Sequence, residues 1–353
     1  MRRYIGIDVH AASCTLVVVS ETGRRLRSAV VETNGEALVG TVLSVAGERH
    51  VILEEGTQAG WISELLEPHV HEVVVTQASG GPGQKNDEAD AFALANQLRL
   101  GAVERRVFKA EGQFRELRQL ARVYRMVLGD TVRTKNRVKS LYRARGIPTD
   151  GRAIFNPSHR SDWLGRLDAA SRLAAQPLFD QLDAVSEIRE RAGRAMVAES
   201  HRHPVSRQLE TAPGLGPLRV AQILPIVAVP DRFRTRRQFW SYCGLGIVMR
   251  SSSDWVQAPS GWDRARVSET RGLNKHANMT LKHIFKGAAT TVIQSLHDDP
   301  LYDHYAQLLA NGTKPDLARL TIARRIAAIT LRLWKSQEAY DPNRIARDRQ
   351  LTA

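Results

Sequence analysis

The first hundred residues alternate short apolar runs with amphipathic segments, and this alternation restricts the fold more than any other feature of the chain. Strands are predicted at residues 4–10, 14–20, 24–32, 50–54 and 72–76, and helices at 34–46, 60–69 and 87–100. The first three strands follow one another through short turns, whereas the later strands alternate with helices. Such an order predicts an antiparallel meander followed by parallel βα units, and therefore an α/β fold with a mixed sheet flanked by helices.

Four acidic residues fall where this sheet would bring them together. Asp8 closes the first predicted strand and Glu54 closes the fourth, and the carboxyl ends of neighbouring parallel strands meet at one edge. Asp87 and Asp90 are three residues apart, so on a helix their Cβ atoms lie about 5–6 Å apart on one face. Like charges repel at such distances unless a cation lies between them. The pattern predicts a divalent-cation pocket, although Asp87 alone could be an acid favoured by the helix dipole and Glu55 is a competing neighbour of Glu54.

The composition indicates a globular protein with a polyanionic partner. Of the 353 residues 42% are hydrophobic and 25% charged, and the net charge is +14. A positive surplus of this size is most simply explained by nucleic acid, without implying base specificity. Only two cysteines occur, Cys14 and Cys243, which argues against a disulfide framework or a zinc knuckle. No segment reaches the ~18 consecutive apolar residues of a membrane span, so we expect an intracellular protein without a membrane partner.

Residues 111–146 predict a long helix with a strongly basic face. This stretch has ten Lys or Arg residues against three acids. A solvated face is the ordinary explanation, but the one-sided excess favours contact with phosphates. The candidate nucleic-acid contacts are Arg118, Arg122, Arg125, Arg133, Lys135, Arg137 and Lys139. A second helical region at residues 163–200, expected to be interrupted near Pro177, would pair with it as an antiparallel arm or dimerisation spine.

The carboxyl-terminal part offers two further contacts with nucleic acid. Residues 213–217 (PGLGP) between two predicted helices are typical of a helix-hairpin-helix, although an ordinary turn between helices is an equal alternative. Arg234, Arg236 and Arg237 stand beside aromatic residues that include Trp240. Cations with aromatic neighbours suit backbone contact and base stacking, unless the rings belong to the core.

The sheet order and the four acids resemble the ribonuclease H-like fold in its RuvC-like version. The GID motif at residues 6–8 also opens actin-like sugar kinases, but their phosphate-loop set is missing from the sequence. More specific motifs occur along nearly the whole chain: GIDV (6–9), LEEGT (53–57), KNDEADA (85–91), PGLGP (213–217) and YCGL (242–245). With these motifs in this order, the chain resembles the DEDD transposases, pilin-invertase-like recombinases of insertion sequences whose better-known members are guided by a bridge RNA.

The resemblance implies a metal-dependent recombinase with three domains. These would be a RuvC-like catalytic domain at 1–110, a helical arm at 111–204 and a mainly helical transposase domain at 205–353. It further implies Mg²⁺ or Mn²⁺ as cofactor, DNA and a structured guide RNA as partners, a homo-oligomer, and a cytoplasmic, nucleoid-associated location. The metal tetrad would consist of Asp8, Glu54, Asp87 and Asp90.

The resemblance also implies a serine nucleophile in the carboxyl-terminal domain. The family pattern is Ser-Gly, whereas this chain has SSSD at residues 251–254. Matching Ser253 to the small residue after the nucleophile makes Ser252 the first choice, with Ser251 and Ser253 as alternatives. Two other functions are compatible with the sequence: a RuvC-like endonuclease in which water attacks, and a non-catalytic protein that binds RNA or DNA.

Overall fold

The chain folds into two compact units, Met1–Gln113 and Phe114–Ala353. The computed structural model describes residues 1–77, 86–103, 106–107, 112–251, 255–259, 261–264, 268–274 and 276–343. Every helix within these ranges is too short or too polar to traverse a lipid bilayer. The division into three domains at residues 110 and 204 stays a prediction.

The first unit contains a mixed six-stranded sheet with helices on both faces. Its strands are β1 (Arg2–Val9), β2 (Ser13–Ser20), β3 (Arg25–Glu32), β4 (Glu48–Glu54), β5 (Glu72–Thr76) and β6 (Arg106–Val107), and its helices are α1 (Gly35–Leu43), α2 (Ala59–Leu66) and α3 (Asp87–Arg99). The strand order is β3-β2-β1-β4-β5-β6. The first three strands are antiparallel, and β1, β4 and β5 are parallel. The predicted meander followed by βα units is confirmed, and β6 is an additional short edge strand.

The alternation of apolar residues in β1 fills two separate cores. Ile5 and Ile7 face one side of the sheet, where they pack with Leu38 of α1 and Ile62 of α2. Tyr4 belongs to the core on the opposite side, to which α3 contributes four buried residues. Successive side chains of a strand point to opposite faces, so one strand can anchor both helical layers.

A glycine in β1 brings α3 into direct contact with the sheet. A Cβ atom at Gly6 would lie only 1.9 Å from the carbonyl oxygen of Ala91, so the backbones touch where a side chain would stand. Ala91 is one helical turn beyond Asp87, and Asp8 is two residues beyond Gly6 on the same strand. The close approach at Gly6 therefore determines where the start of α3 meets the end of β1.

The second unit begins with a long antiparallel pair of helices, α4 (Arg115–Arg143) and α6 (Ala169–Ser200), with the short α5 (Arg160–Gly165) between them. The rings of Tyr142 and Phe179 lie 6.4 Å apart, at the end of α4 and the beginning of α6. Tyr124, near the start of α4, lies beside Gly193, where a Cβ would be 3.3 Å from its ring. Buried residues three or four apart give α4 an apolar stripe.

The rest of this unit is mainly helical. Its helices are α7 (Pro204–Glu210), α8 (Pro217–Val227), α9 (Arg236–Tyr242), α10 (Met279–Ser295), α11 (Pro300–Ala310) and α12 (Pro315–Ser336). Between α9 and α10 the chain forms strands that were not predicted: β7 (Ile247–Ser251), β8 (Trp255–Ala258), β9 (Gly261–Arg264) and β10 (Ser268–Leu273). They pair as two antiparallel ribbons, β7 with β10 and β8 with β9.

Two local predictions in this unit need comment. The expected interruption near Pro177 is wrong, because α6 runs through this proline without a break. The turn at 213–217 does join two helices, α7 and α8. Its Gly214 has a φ of +71°, and a Cβ there would lie 2.5 Å from the carbonyl oxygen of Ala288 in α10. Glycine is thus required for packing against α10, and the phosphate contact of this turn stays a prediction.

Candidate metal centre and basic surfaces

Strand pairing places the first two predicted acids at one edge of the sheet. Ile7 of β1 is in register with Leu53 of the parallel strand β4. The residues that follow them, Asp8 and Glu54, therefore emerge from the carboxyl ends of adjacent strands. Both side chains are half-buried, whereas Glu55 is exposed. The choice of Glu54 over Glu55 as a site residue stays a prediction.

The third predicted acid is the first residue of α3. The side chain of Asn86 caps this helix by accepting hydrogen bonds from the backbone N–H groups of Glu88 at 3.1 Å and Ala89 at 3.4 Å. Asparagine is among the best capping residues because its oxygen satisfies N–H groups that have no partner within the helix. The cap fixes the start of α3, and the contact at Gly6 fixes its height above the sheet.

The structure brings Asp8 and Asp87 together around a histidine that the sequence analysis did not identify. The Nε2 atom of His10 lies 3.1 Å from Oδ2 of Asp8 and 3.2 Å from Oδ2 of Asp87. The three residues offer ligand atoms that all lie within 4.8 Å of one another. His10 lies just beyond the end of β1, two residues after Asp8, and this closeness in sequence was the available signal.

The other two predicted acids, Glu54 and Asp90, do not belong to this group. Among the residues described, only Asp8, His10 and Asp87 meet as a cluster of three metal-ligand side chains. Asp90 lies one turn further along α3, and its side chain is exposed. Because Asp87 and Asp90 are three residues apart on a helix, Asp90 stays on the same face as the cluster.

The donor set fits a divalent cation. Two carboxylates within a few ångströms of each other repel, and a cation between them removes that repulsion. Carboxylate oxygens are preferred by Mg²⁺ and Mn²⁺, and an imidazole nitrogen is a common ligand of transition metals. The cluster is also accessible, since about half of the side-chain surface of both His10 (51%) and Asp87 (54%) is exposed.

Only one residue of the predicted serine tract, Ser251, lies within the described residues. Ser252 and Ser253 lie outside the described residues. Ser251 is the last residue of β7, where its backbone is in register with Ser268 of β10. Ser251 therefore ends one strand of an antiparallel ribbon in the second unit.

Part of the predicted basic surface on α4 makes contacts within the protein. The Nζ atoms of Lys135 and Lys139 lie 5.0 and 5.4 Å from the ring centre of Phe155. Lys139 also donates a hydrogen bond to the carbonyl of Gly151 at 3.1 Å. Burial lowers the pKa of Lys135, and the neighbouring Arg189 strengthens the effect. These two lysines therefore contact the segment that connects α4 to α5.

Other members of the basic set have more exposed side chains. Arg122, Arg133 and Arg137 are exposed, although Arg133 forms an ion pair with Asp130. Arg118 and Arg125 are half-buried, and burial followed by repulsion from Arg122 lowers the pKa of Arg125. The exposed face of α4 is therefore positive.

The cluster at α9 is exposed as well. Arg234, Arg236 and Arg237 all have exposed side chains. Arg236 lies with its guanidinium carbon 5.6 Å from the ring centre of Trp240, whose indole N–H donates to the carbonyl of Arg324 in α12 at 2.8 Å. Trp240 thus connects α9 to α12, which favours a structural role for this ring.

Comparison with protein families places the chain among mobile-element enzymes. The DEDD transposase model of the IS110 type matches residues 5–144, which contain the cluster and the whole of α4. The model described as transposase of the IS116/IS110/IS902 family matches residues 206–306, which contain α9, the serines and the two ribbons. A search of curated proteins gave no match. DEDD transposases bind DNA and typically depend on a divalent metal, in agreement with the geometry at Asp8 and Asp87. The chain belongs to the DEDD transposases of the IS110 family.

Proposed function

We propose that this transposase cleaves and rejoins DNA strands for an insertion sequence by phosphoryl transfer at the Asp8–Asp87 cluster. The observation that carries the proposal is the convergence of these two carboxylates, at 3.1 and 3.2 Å from one nitrogen of His10. The residues come from a strand end and a helix start that are almost eighty positions apart in the chain. Glu54 and Asp90 adjoin them as the remaining members of the proposed tetrad.

Asp8, Glu54, Asp87 and Asp90 would hold two divalent ions, Mg²⁺ or Mn²⁺. When bound, such ions polarise the scissile phosphate and neutralise the charge that develops on the attacking and leaving oxygens. The contribution of the protein is to keep the carboxylates preorganised on rigid elements, and the contact at Gly6 and the cap at Asn86 do this.

A serine of the tract at 251–253, with Ser252 preferred, would act as the nucleophile. Its hydroxyl oxygen forms a bond to phosphorus while the bond between phosphorus and a DNA oxygen breaks. The serine proton ends on the departing DNA hydroxyl, so no other reactant is consumed. Attack by a hydroxyl of a second DNA strand then reverses the process and releases the serine. A covalent phosphoserine conserves the energy of the phosphodiester, and strand exchange can proceed without ATP.

The basic surfaces would hold the nucleic acids. The exposed arginines of α4 and those at α9 carry charge for phosphate contacts, which provide affinity without sequence information. Target choice would then come from pairing with a structured guide RNA. Binding to chromosomal DNA would place the protein on the nucleoid.

Exposed apolar side chains on α4 support a homo-oligomer. Val123, Met126 and Val132 expose 50%, 61% and 50% of their surfaces, although they lie on a helix with an otherwise charged face. Val123 and Met126 are three residues apart and so lie on one face of α4, where they offer an apolar surface to another chain. A second copy is the simplest partner for a transposase.

Replacement of Ser252 by alanine is expected to abolish a covalent protein–DNA product. The test incubates the full chain with DNA of the element ends, RNA transcribed from the adjoining non-coding stretch, and Mg²⁺. Denaturing electrophoresis of labelled DNA then detects an adduct in the wild type. The Ser251→Ala and Ser253→Ala proteins are the matched controls, and they should retain the adduct.

The same experiment separates the alternative functions. If Ser252→Ala, Ser251→Ala and Ser253→Ala all still cleave DNA without any adduct in the wild type, the chain is a RuvC-like endonuclease that uses water. If the wild type cleaves no DNA under any metal condition, the non-catalytic binding function replaces both enzymatic ones.

A further inference from the structure

A polar pocket in the second unit has no role in the chemistry proposed above. It has a volume of about 420 Å³ and lies between α9, the residues before it and the segment after β10. This volume is within the range of pockets that bind small molecules, about 300–1,000 Å³, and exceeds the needs of a lone phosphate. The pocket is therefore large enough for a ligand of nucleotide size.

The residues that line the pocket include a guanidinium stacked on two aromatic rings. The guanidinium carbon of Arg232 lies 4.6 Å from the ring centre of Phe233 and 4.5 Å from that of Tyr242. Arg232 and Tyr242 both donate hydrogen bonds to the carbonyl of Ile226, each at 3.3 Å. The plane of the guanidinium is thereby fixed, and a fixed guanidinium plane is a surface on which unpaired bases stack.

Asn274 also lines the pocket and fixes part of its boundary by hydrogen bonds. Its amide nitrogen donates to the carbonyl and hydroxyl oxygens of Ser241 at 3.3 Å, and its side-chain oxygen accepts from the backbone N–H of His276 at 2.9 Å. These bonds connect the end of β10 to α9 and place His276 at the pocket. The walls are therefore built by specific contacts between separate elements.

The charge of the pocket favours an anion. Arg232 and Arg234 line it, and none of the described lining residues is acidic. The nearest acid in sequence, Asp231, lies 3.7 Å from the ammonium group of Lys335, which offsets its charge. A phosphate entering beside Arg234 would meet a second cation of the pocket besides Arg232.

We infer that this pocket binds one unpaired nucleotide of a nucleic-acid strand, with the base against Arg232 and the phosphate beside Arg234. Proteins hold single strands with positively charged side chains that contact the phosphates and with surfaces on which the bases stack. A base within a duplex is stacked and paired, so it cannot enter without being extruded. The inference rests on the proposed function only in taking a nucleic acid as the ligand, and it adds a preference for unpaired over paired strands.

The test compares single-strand with duplex affinity in the full chain. Fluorescein-labelled dT10, rU10 and a fully paired DNA hairpin are titrated in EDTA at several salt concentrations and followed by anisotropy. Arg234→Gln is expected to reduce the salt slope for the single strand by about 0.7, the value for one phosphate. Arg232→Lys keeps the charge but removes the planar stacking surface, and should lower single-strand affinity about fivefold or more. Arg232→Lys should leave hairpin affinity within about twofold of the wild type, whereas Arg234→Gln should weaken hairpin binding less than it weakens single-strand binding.

Arg237→Gln is the matched control, because it removes an exposed arginine of the same segment that does not line the pocket. It should leave the ratio of single-strand to duplex affinity unchanged. A change in dT10, in rU10 or in both identifies which strand the pocket takes. The inference is overturned if Arg234→Gln, Arg237→Gln and the wild type all have the same ratio of single-strand to duplex affinity, with dT10 and with rU10.

The outcome is independent of the proposed chemistry. If the affinity ratio is altered but the wild type cleaves no DNA, the proposed function is wrong and the inferred nucleotide pocket stands. Cleavage with unaltered ratios would keep the function and remove the pocket. Thermal unfolding of each variant establishes that Arg232→Lys is folded, and Arg234→Gln tests an exposed side chain that no core contact requires.

Discussion

Asp87→Asn is expected to lower metal-dependent DNA cleavage by at least about 100-fold, since even residues that only support a metal ligand contribute about 10–100-fold. Asparagine preserves the shape of the side chain and can begin a helix equally well, so α3 should form normally. What is lost is the negative charge 3.2 Å from His10, and with it the affinity for a divalent cation. Cleavage rates measured across a Mn²⁺ titration, alongside calorimetric binding of Mn²⁺, check both effects.

Glu88→Gln provides the matched control for this prediction. Glu88 is the next residue of the same helical turn, but its carboxylate pairs with Arg25 at 2.8 Å and is outside the cluster. Its loss should change cleavage by less than about threefold, in keeping with the small contribution of exposed ion pairs. Equal losses in Asp87→Asn and Glu88→Gln would mean that general charge, and not a metal ligand, was removed.

Gly6→Ala is expected to destabilise the first unit and weaken metal binding together. The added Cβ would stand 1.9 Å from the carbonyl oxygen of Ala91 and 2.7 Å from the amide nitrogen of Ala95. Both are backbone atoms, so the whole of α3 must move. Overpacking of this kind costs about 1–3 kcal/mol or more. For a unit of this size, 2 kcal/mol corresponds to a fall in Tm of roughly 10 °C.

The stability experiment uses scanning calorimetry of the full chain. Gly40→Ala is the control, because Gly40 lies within α1 and a Cβ there meets nothing within 4 Å. Alanine in a helix interior is favoured over glycine by about 0.5–1 kcal/mol, so this variant should be slightly more stable. A Gly6→Ala protein with wild-type Tm and wild-type Mn²⁺ affinity would show that α3 is not positioned by this contact.

Elements with strong periodicity could be predicted from the sequence. The apolar runs of β1, β2, β4 and β5 are buried strands, and Asn34 and Asn86 cap α1 and α3. Local patterns sufficed here because the strand period, the helix period and the capping residues all favour the same structure. The same patterns placed Asp8 and Asp87 at element ends, which is why their proximity could be anticipated.

The ribbons β7–β10 could not be anticipated in the same way. The strands GWDR and SETRGL are polar and lack the alternation of a half-buried strand. Two-stranded ribbons depend on cross-strand pairing, which a single segment does not reveal. The prediction at Pro177 was wrong for a different reason. A proline usually ends a helix, but α6 continues through Pro177 because its packing against α4 outweighs the free-energy cost of the proline.

Side-chain partners were the least predictable part of the candidate site. His10 stands outside the strand that carries Asp8, and only the fold brings α3 against both residues. Lys135 and Lys139 were predicted as phosphate contacts, but their positions over Phe155 depend on how the chain returns after α4. Charge counts along a helix identify a basic face without showing which of its cations are already engaged.

The central claim is that Asp8 and Asp87 share a divalent cation, and anomalous diffraction tests it most directly. Crystals of the full chain soaked in Mn²⁺ are measured at the manganese absorption edge. We predict an anomalous peak within coordination distance of the carboxylates of Asp8 and Asp87, absent from crystals of Asp87→Asn. A Mn²⁺-soaked wild-type crystal with no peak at these carboxylates, or with a peak that persists in Asp87→Asn, would contradict the account.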